Sequence, residues 1–387
     1  MHLRLKEFLA LGMAAAVTVA APTLSLAKDL PPIKIGLAAP MTGPNAVVGE
    51  GAERGVRLAI EDLGGAIGDR KLQLSVVDDK CTPGDAVPAI RRLIDQEEVD
   101  AIIGPMCSGS ALAALPIIQE GGVPQLSVTA SNPDIYDQMG VGGNDWAFRL
   151  NLDDKIIAKT MTSFISKNTK KLFIVGLNND FGRGAAAAYK AEVGNFGVQL
   201  VGTEFYDDGT TDFRSILTKI KQAGADGVLA IMIEQDSVPF LRQMKEVGLN
   251  IRVYSRGGVV TPLFVQMAGN DRTLGDGVVD ASYWAAGMDP EGEAHYQARW
   301  NSPANTHRML AYYGMKLVLA DAIKRALAAG DLTRASIRDA LKTTKLPGTP
   351  LGDISFDDHH QAYPLMLLST IKDGKFVIVD KLAGAHR

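Results

Sequence analysis

The sequence predicts an α/β protein built as two successive units, each a parallel sheet with helices on both faces. Three observations lead there. Short apolar runs alternate with amphipathic stretches from residue 33 on, which is the strand–helix rhythm of a parallel sheet. The rhythm restarts near residue 151. The chain, at 387 residues, is longer than one hydrophobic core comfortably serves.

The elements follow in order. Ile33–Ala39 is an apolar run ended by Pro40. Ala52, Val56, Ala59, Ile60 and Leu63 recur at helical spacing, with Glu53, Arg54, Arg57, Glu61 and Asp62 opposite, and Gly64-Gly65 stops that helix. Leu72–Val77 reads as a strand, Asp85–Glu97 as a helix, Ala101–Met106 as a short strand, Gly109–Gln119 as a helix and Pro124–Val128 as a strand. The second unit opens with a helix over Asp153–Asn168. Strand Leu172–Leu177, helix Gly184–Phe196, strand Val198–Tyr206 and a helix over Asp212–Ala223, with Asp212 as N-cap, come next. Gly227–Ile233 is a strand, Ser237–Val247 a helix and Ile251–Ser255 a strand. After Asp276–Trp284 come helical stretches near 290–301, 305–329 and 333–343, then strands Pro364–Lys372 and Phe376–Leu382 around the turn Asp373-Gly374.

The first 27 residues stand apart. Arg4 and Lys6 precede an apolar run from Phe8 to Val19, and Ser25-Leu26-Ala27 places small residues where an export peptidase cuts. The run is too short for the ~20 residues that span a bilayer. Export to the periplasm, with cleavage after Ala27, is the expectation. The net charge of −4 provides no basic footprint for nucleic acid. Two cysteines, Cys81 and Cys107, in an oxidising compartment favour a disulfide. Two free thiols or one catalytic thiol are the alternatives. A catalytic thiol wants a His partner, and no recognisable motif surrounds His295, His307, His359, His360 or His386.

Other motifs are weaker. GLNNDFGRGAAAAY, residues 176–189, contains Gly-x-Gly-x-x-Ala between a strand and a helix, with Glu204 following. Four residues separate the strand from the first glycine, too many for the tight nucleotide-binding turn, so close helix–sheet packing is the preferred reading. His359-His360 in DDHHQ reads as a solvated turn rather than a metal site. No cofactor or metal is expected. The serines of CSGSAL, 107–112, are more informative. Ser108 and Ser110 open a helix after a buried strand, where unpaired N–H groups and the dipole favour an anion. The neighbouring strand ends in Ser127, Thr129 and Ser131. Two such loops suit a carboxylate, although serine and threonine are also ordinary caps.

IKIGLAAPMTGPNAVVGEGAERGVRLAIEDLGG at 33–65, VVDDKCTPGDAV at 76–87 and IIGPMCSGSA at 102–111 resemble the leucine/isoleucine/valine-binding class of periplasmic solute-binding proteins, the receptors that feed ABC importers. The likeness extends through FIVGLNNDFGRG and FRSILTKIKQAGADGVL. It implies two Rossmann-like lobes that close on ligand, joined by a three-segment hinge near Asn151, Ser282 and Ser355. Lobe one would comprise 28–150 plus 283–354, and lobe two 151–282 plus 355–387. It also implies the Cys81–Cys107 bridge, and a ligand carboxylate held by Ser108, Thr129 and Ser131.

Several positions depart from the amino-acid-binding pattern. Val48, Phe181 and Ile233 stand where the family has cleft tyrosines, and Gly257, beside Arg256, where it has the acid that pairs the α-ammonium. Glu234 or Asp236 would serve if turned inward; otherwise they are a solvated helix start. An ammonium without a carboxylate is poorly compensated in a closed cleft. The resemblance and its departures imply a monomeric, non-enzymatic receptor for a small carboxylate with an apolar or aromatic body, with Arg256 as a second anion contact and an inner-membrane permease as partner. Alternatives are a receptor for apolar amino acids, a ligand sensor of the same fold, or an exported enzyme, for which no nucleophile–base pair is evident.

Overall fold

A computed structural model describes residues 30–269, 271 and 273–382. The expected leader, residues 1–27, and the last residues of the expected second lobe, 383–387, lie outside the described residues. The first sheet has β1 (Ile33–Ala39), β2 (Ala66–Ile67), β3 (Arg70–Asp78), β4 (Ala101–Ile103), β5 (Gln125–Ser127) and β6 (Ala147–Arg149) in the order β2-β3-β1-β4-β5-β6. All its pairings are parallel except β2–β3. Between these strands run α1 (Ala46–Asp62), α2 (Pro83–Arg91), α3 (Ser108–Gly121) and the short α4 (Pro133–Tyr136).

The chain then passes into a second sheet. There α5 (Asp154–Ile165), α6 (Asp180–Val193), α7 (Arg214–Gln222), α8 (Glu234–Glu246) and α9 (Pro262–Ala268) alternate with β7 (Lys171–Leu177), β8 (Gln199–Tyr206), β9 (Gly227–Ile231), β10 (Arg252–Ser255) and β11 (Val279–Ser282). It returns to the first sheet through α10 (Pro290–Trp300), α11 (Thr306–Tyr313), α12 (Ala320–Ala329) and α13 (Arg334–Lys342). The hairpin β12 (Lys345–Thr349)–β13 (Gly352–Ser355) follows, and β14 (Met366–Lys372) and β15 (Lys375–Leu382) complete the second sheet in the order β15-β14-β11-β10-β9-β7-β8. β14 and β15 join antiparallel; the other pairings are parallel.

Sequence and structure differ in instructive places. Asp212 does not cap α7, because Phe213 occupies that position and the Asp212 carboxylate accepts the Arg214 N–H instead. Helix α6 starts at Asp180, four residues before the expected Gly184, because the Asn179 side chain accepts the Gly182 N–H and caps it there. Gly182 and Gly184 of GLNNDFGRG therefore sit inside the helix. A Cβ at Gly182 would strike the Leu177 carbonyl, which fits the close-packing reading of that motif. The DDHHQ segment is not a solvated turn: His360 is buried and stacks on Phe148 at 4.2 Å, while His359 stacks on Tyr136 at 4.4 Å. That docking, with Arg149 bridged to Gln361, keeps residues 357–362 on the first sheet. After this docked segment Met366 begins the next strand of the second sheet, while Asn151 follows β6 of the first sheet and Ser282 ends β11 of the second. Among the described residues, no helix is long and apolar enough to cross a membrane.

Each helix face of the first sheet has its own core. α1 and α11 share one cluster with β1 on one face, whereas α2 and α3 form a separate cluster on the other. From Pro31 on, the chain forms one compact unit, because the α1 and α11 cluster continues without a break into β7 and α6 of the second sheet. The helices α1 and α11 approach at Gly55, where a Cβ would strike the Arg308 backbone carbonyl. Backbone cannot yield as a side chain end can. Gly55→Ala is expected to lower stability by ~1–3 kcal/mol, read as a fall in melting temperature with an unchanged far-ultraviolet spectrum.

Candidate functional site

In an open parallel sheet the carboxyl ends of the strands share one edge, and ligands bind beyond it. Here the carboxyl edges of both sheets border one cavity. Val48, Ser108, Thr129, Ser131, Phe181, Ile233, Arg256 and Gly257 all line it, as do both cysteines. Thus the structure brings these eight residues together, whereas Ser110, Ser127, Glu234 and Asp236, also singled out in the sequence, do not line the cavity. The reading missed Asn45, Met106, Leu177, Asn179, Met232, Tyr283, Thr306 and His307, which line it too. Only Asn179 carried a usable signal, as a capping residue before a helix.

The disulfide shapes the first wall. Cys81 and Cys107 are bonded, with Cα atoms 5.3 Å apart. The bridge ties the first residue before α3 to the turn after β3. Asp79 lies under that turn and accepts the Cys81 N–H at 2.9 Å. Burial pushes the Asp79 carboxyl up to about 6, with repulsion from Asp78 and Asp85 adding to the effect and the Cys81 N–H opposing it.

The three expected hydroxyls are not equivalent. Thr129 donates to the Met106 carbonyl at 2.7 Å, and Ser131 donates to Asp154 at 2.8 Å, so both protons are committed within the protein. Ser108 only accepts, from the Asn132 N–H at 3.3 Å, and keeps its own proton to give. The first turn of α3 adds backbone N–H groups that have no intrahelical acceptor.

Arg256 follows β10 and is buried with 4% exposure. Its Nε–H donates to Asp154 at 2.9 Å. The guanidinium lies 5.8 Å from the Phe181 ring and 5.6 Å from the Tyr283 ring. Burial would lower its pKa, but Asp154 more than offsets this and holds the group charged. Its Nη2 has no hydrogen-bond partner, which is costly in a buried cation unless a ligand supplies one.

No acid lines the cavity. Glu234 and Asp236 are buried rather than solvated, and both are engaged elsewhere. Glu234 accepts the Thr261 hydroxyl and the Asn305 amide, and Asp236 accepts the Tyr206 hydroxyl. The two halves meet across the cavity through polar contacts: Asn132 Nδ2 to the Asp180 carbonyl at 2.6 Å, Asn45 to Asp208 at 3.3 Å, and Gln235 to the Pro44 carbonyl at 2.5 Å. Among the described residues, no cluster of His, Cys, Asp and Glu is placed to hold a metal.

Residues 32–375 match the family model described as "Periplasmic binding protein". The chain is 32% identical over 284 residues to a Pseudomonas aeruginosa protein named "Amino acid binding protein", covering 68% of this chain and 75% of that one. Among solved structures it is similar to a solute binding protein of an ABC transporter from R. palustris, in complex with benzoate. There the TM-score is 0.82 at 22% identity, over 92% of this chain and 97% of that one. It is also similar to the branched-chain amino acid transporter substrate binding protein LivJ from Streptococcus pneumoniae, in complex with isoleucine. There the TM-score is 0.78 at 24% identity, over 91% and 99%.

Two outcomes test this wall. Replacing both cysteines by serine should cost ~3 kcal/mol, the loop-entropy value for a bridge of this span, measured by denaturant unfolding. For Asp79, a folded pKa of about 6 lies above its ordinary value. Its contribution is therefore full below pH 4 and is lost as pH rises through 6. The natural protein should gain about 1 kcal/mol more than Asp79→Asn between pH 7 and pH 5, measured from paired unfolding curves.

Proposed function

Because the chain belongs to the periplasmic binding protein family, we propose that this substrate-binding protein of an ABC-type transporter captures a small monocarboxylate with an apolar or aromatic body and no ammonium group. The observation that carries this reading is the charge pattern of the cavity wall. It has one buried cation with an unpartnered Nη2 and no acid. A zwitterionic amino acid would bring its ammonium into a closed, carboxylate-free space, a cost of several kcal/mol. A bare carboxylate meets only donors.

Ser108, the first turn of α3 and Arg256 hold the carboxylate. Val48, Phe181, Ile233, Met106, Met232 and Tyr283 face its apolar body. Thr129 and Ser131 act indirectly: Ser131 orients Asp154, and Asp154 orients Arg256. Ligand favours the closed form only by binding it better than the open one, and hinge bending at the three crossings provides the motion. A membrane permease would then accept the loaded, monomeric receptor in the periplasm. The benzoate complex of the R. palustris neighbour agrees with this class of ligand. A second reading, an apolar amino acid, is favoured by the isoleucine complex of the S. pneumoniae neighbour and by the name of the P. aeruginosa relative.

Thermal melts of refolded, ligand-stripped protein with each class separate the two. A ligand at 100 times its Kd stabilises by ~2.7 kcal/mol, several degrees in melting temperature. Amine-free acids are expected to give that shift and leucine or isoleucine to give none. A shift with the amino acids alone overturns the proposal. Ser108→Ala should weaken the acid about 10-fold, the loss of one charge-assisted hydrogen bond.

A further inference from the structure

His307 lines the cavity, and the carboxylate does not use its chemistry. It stands in the first turn of α11, and Nδ1 of its ring is buried without a hydrogen-bond partner. The other polar groups around it are engaged. Thr306 shares a hydrogen bond with Ser282 at 3.3 Å, Asn305 donates to Glu234 at 3.0 Å, and the Asn45 amide donates to Asp208. The charged groups that act on His307 come from three elements: Glu234 of α8, Arg308 of α11 and Arg256 after β10. Burial lowers the imidazole pKa most. Arg308 and Arg256 lower it too, and Glu234 opposes them. The ring is therefore neutral and presents one donor nitrogen and one acceptor.

The position of His307 matters as much as its chemistry. Ser108 reaches the cavity from α3, on one face of the first sheet. His307 reaches it from α11, which packs with α1 on the other face. The apolar side chains of Val48, Met232 and Ile233 also line the cavity. Ser108 and His307 thus border the same cavity from helices on opposite faces of the first sheet.

Resting on the carboxylate reading above, we propose that the natural ligand is a monocyclic aromatic acid with a hydroxyl or keto oxygen at the end remote from its carboxylate, and that His307 recognises that oxygen. A purely apolar far end would leave the buried Nδ1 unpaired, which a protein site penalises more than it rewards a filled contact.

Calorimetric titration of ligand-stripped protein with benzoate, 4-hydroxybenzoate and 4-methylbenzoate tests this. The last two differ in hydrogen bonding but little in size. The natural protein is expected to prefer 4-hydroxybenzoate to 4-methylbenzoate by at least about 3–10-fold, the equivalent of one net hydrogen bond. In His307→Phe that ratio should fall to unity or below while benzoate affinity stays within about 3-fold. In His307→Asn, which keeps a donor and an acceptor, much of the preference should survive. An unchanged ratio in His307→Phe, or no preference in the natural protein, overturns the role of His307 and leaves the carboxylate reading standing. If neither benzoate nor its derivatives bind and leucine or isoleucine does, the carboxylate reading has failed and this one with it. Failure of all these ligands to bind overturns the aromatic assignment.

Discussion

The buried pair between Arg256 and Asp154 holds the site together. Taking two charges out of water costs several kcal/mol each, and their attraction repays this only when the remaining polar atoms are also satisfied. Asp154 meets that condition through the Ser131 hydroxyl. Arg256 meets it only in part, through Nε and two aromatic faces. Three chain segments converge here: the loop after β5, the start of α5 just past the first crossing, and the end of β10. The pair therefore sets the charge of the cavity, and the Ser131 hydroxyl on Asp154 ties it to the loop after β5 of the first sheet. A residue swap that removed only one charge would strand the other in the interior.

The second constraint is the separation of helix layers on the first sheet. α3 and α11 address the cavity from opposite faces, so donors for an anion and a neutral imidazole come from elements that do not pack on each other. The sheet itself keeps them apart. The disulfide holds the α3 side, and the close approach of α1 to α11 at Gly55 holds the other.

Much of this was legible in the sequence because local pattern and tertiary role agree. Ile33–Ala39 is apolar apart from Lys34 since β1 is interior to its sheet and covered on both faces, and the strand has those limits. The eight cavity residues were found because the loops after parallel strands must face one edge, and because the family resemblance placed them. What stayed hidden depends on contacts distant in sequence. Whether Thr129 or Ser108 has a proton to spare is decided by the Met106 carbonyl and the Asn132 N–H, neither of which a hydroxyl-rich loop reveals. His307 has no motif, since its surroundings come from α8, α1 and the segment after β10. β6 is three residues long, too short for a period to show, so it stayed hidden, and the docking of His360 on Phe148 stayed hidden with it.

The hydrogen bonds that cross the cavity rim join polar groups. Asn132, Asn45 and Gln235 reach across to Asp180, Asp208 and Pro44, and none of them spends an apolar side chain on closure. Such a seam releases little free energy when it forms in water. Where an open form competes, measured affinity equals the intrinsic affinity multiplied by the fraction already shut. Evolution thus has a dial for affinity at the rim, where a change of one amide tightens or loosens every ligand alike and leaves the ranking among ligands to the interior.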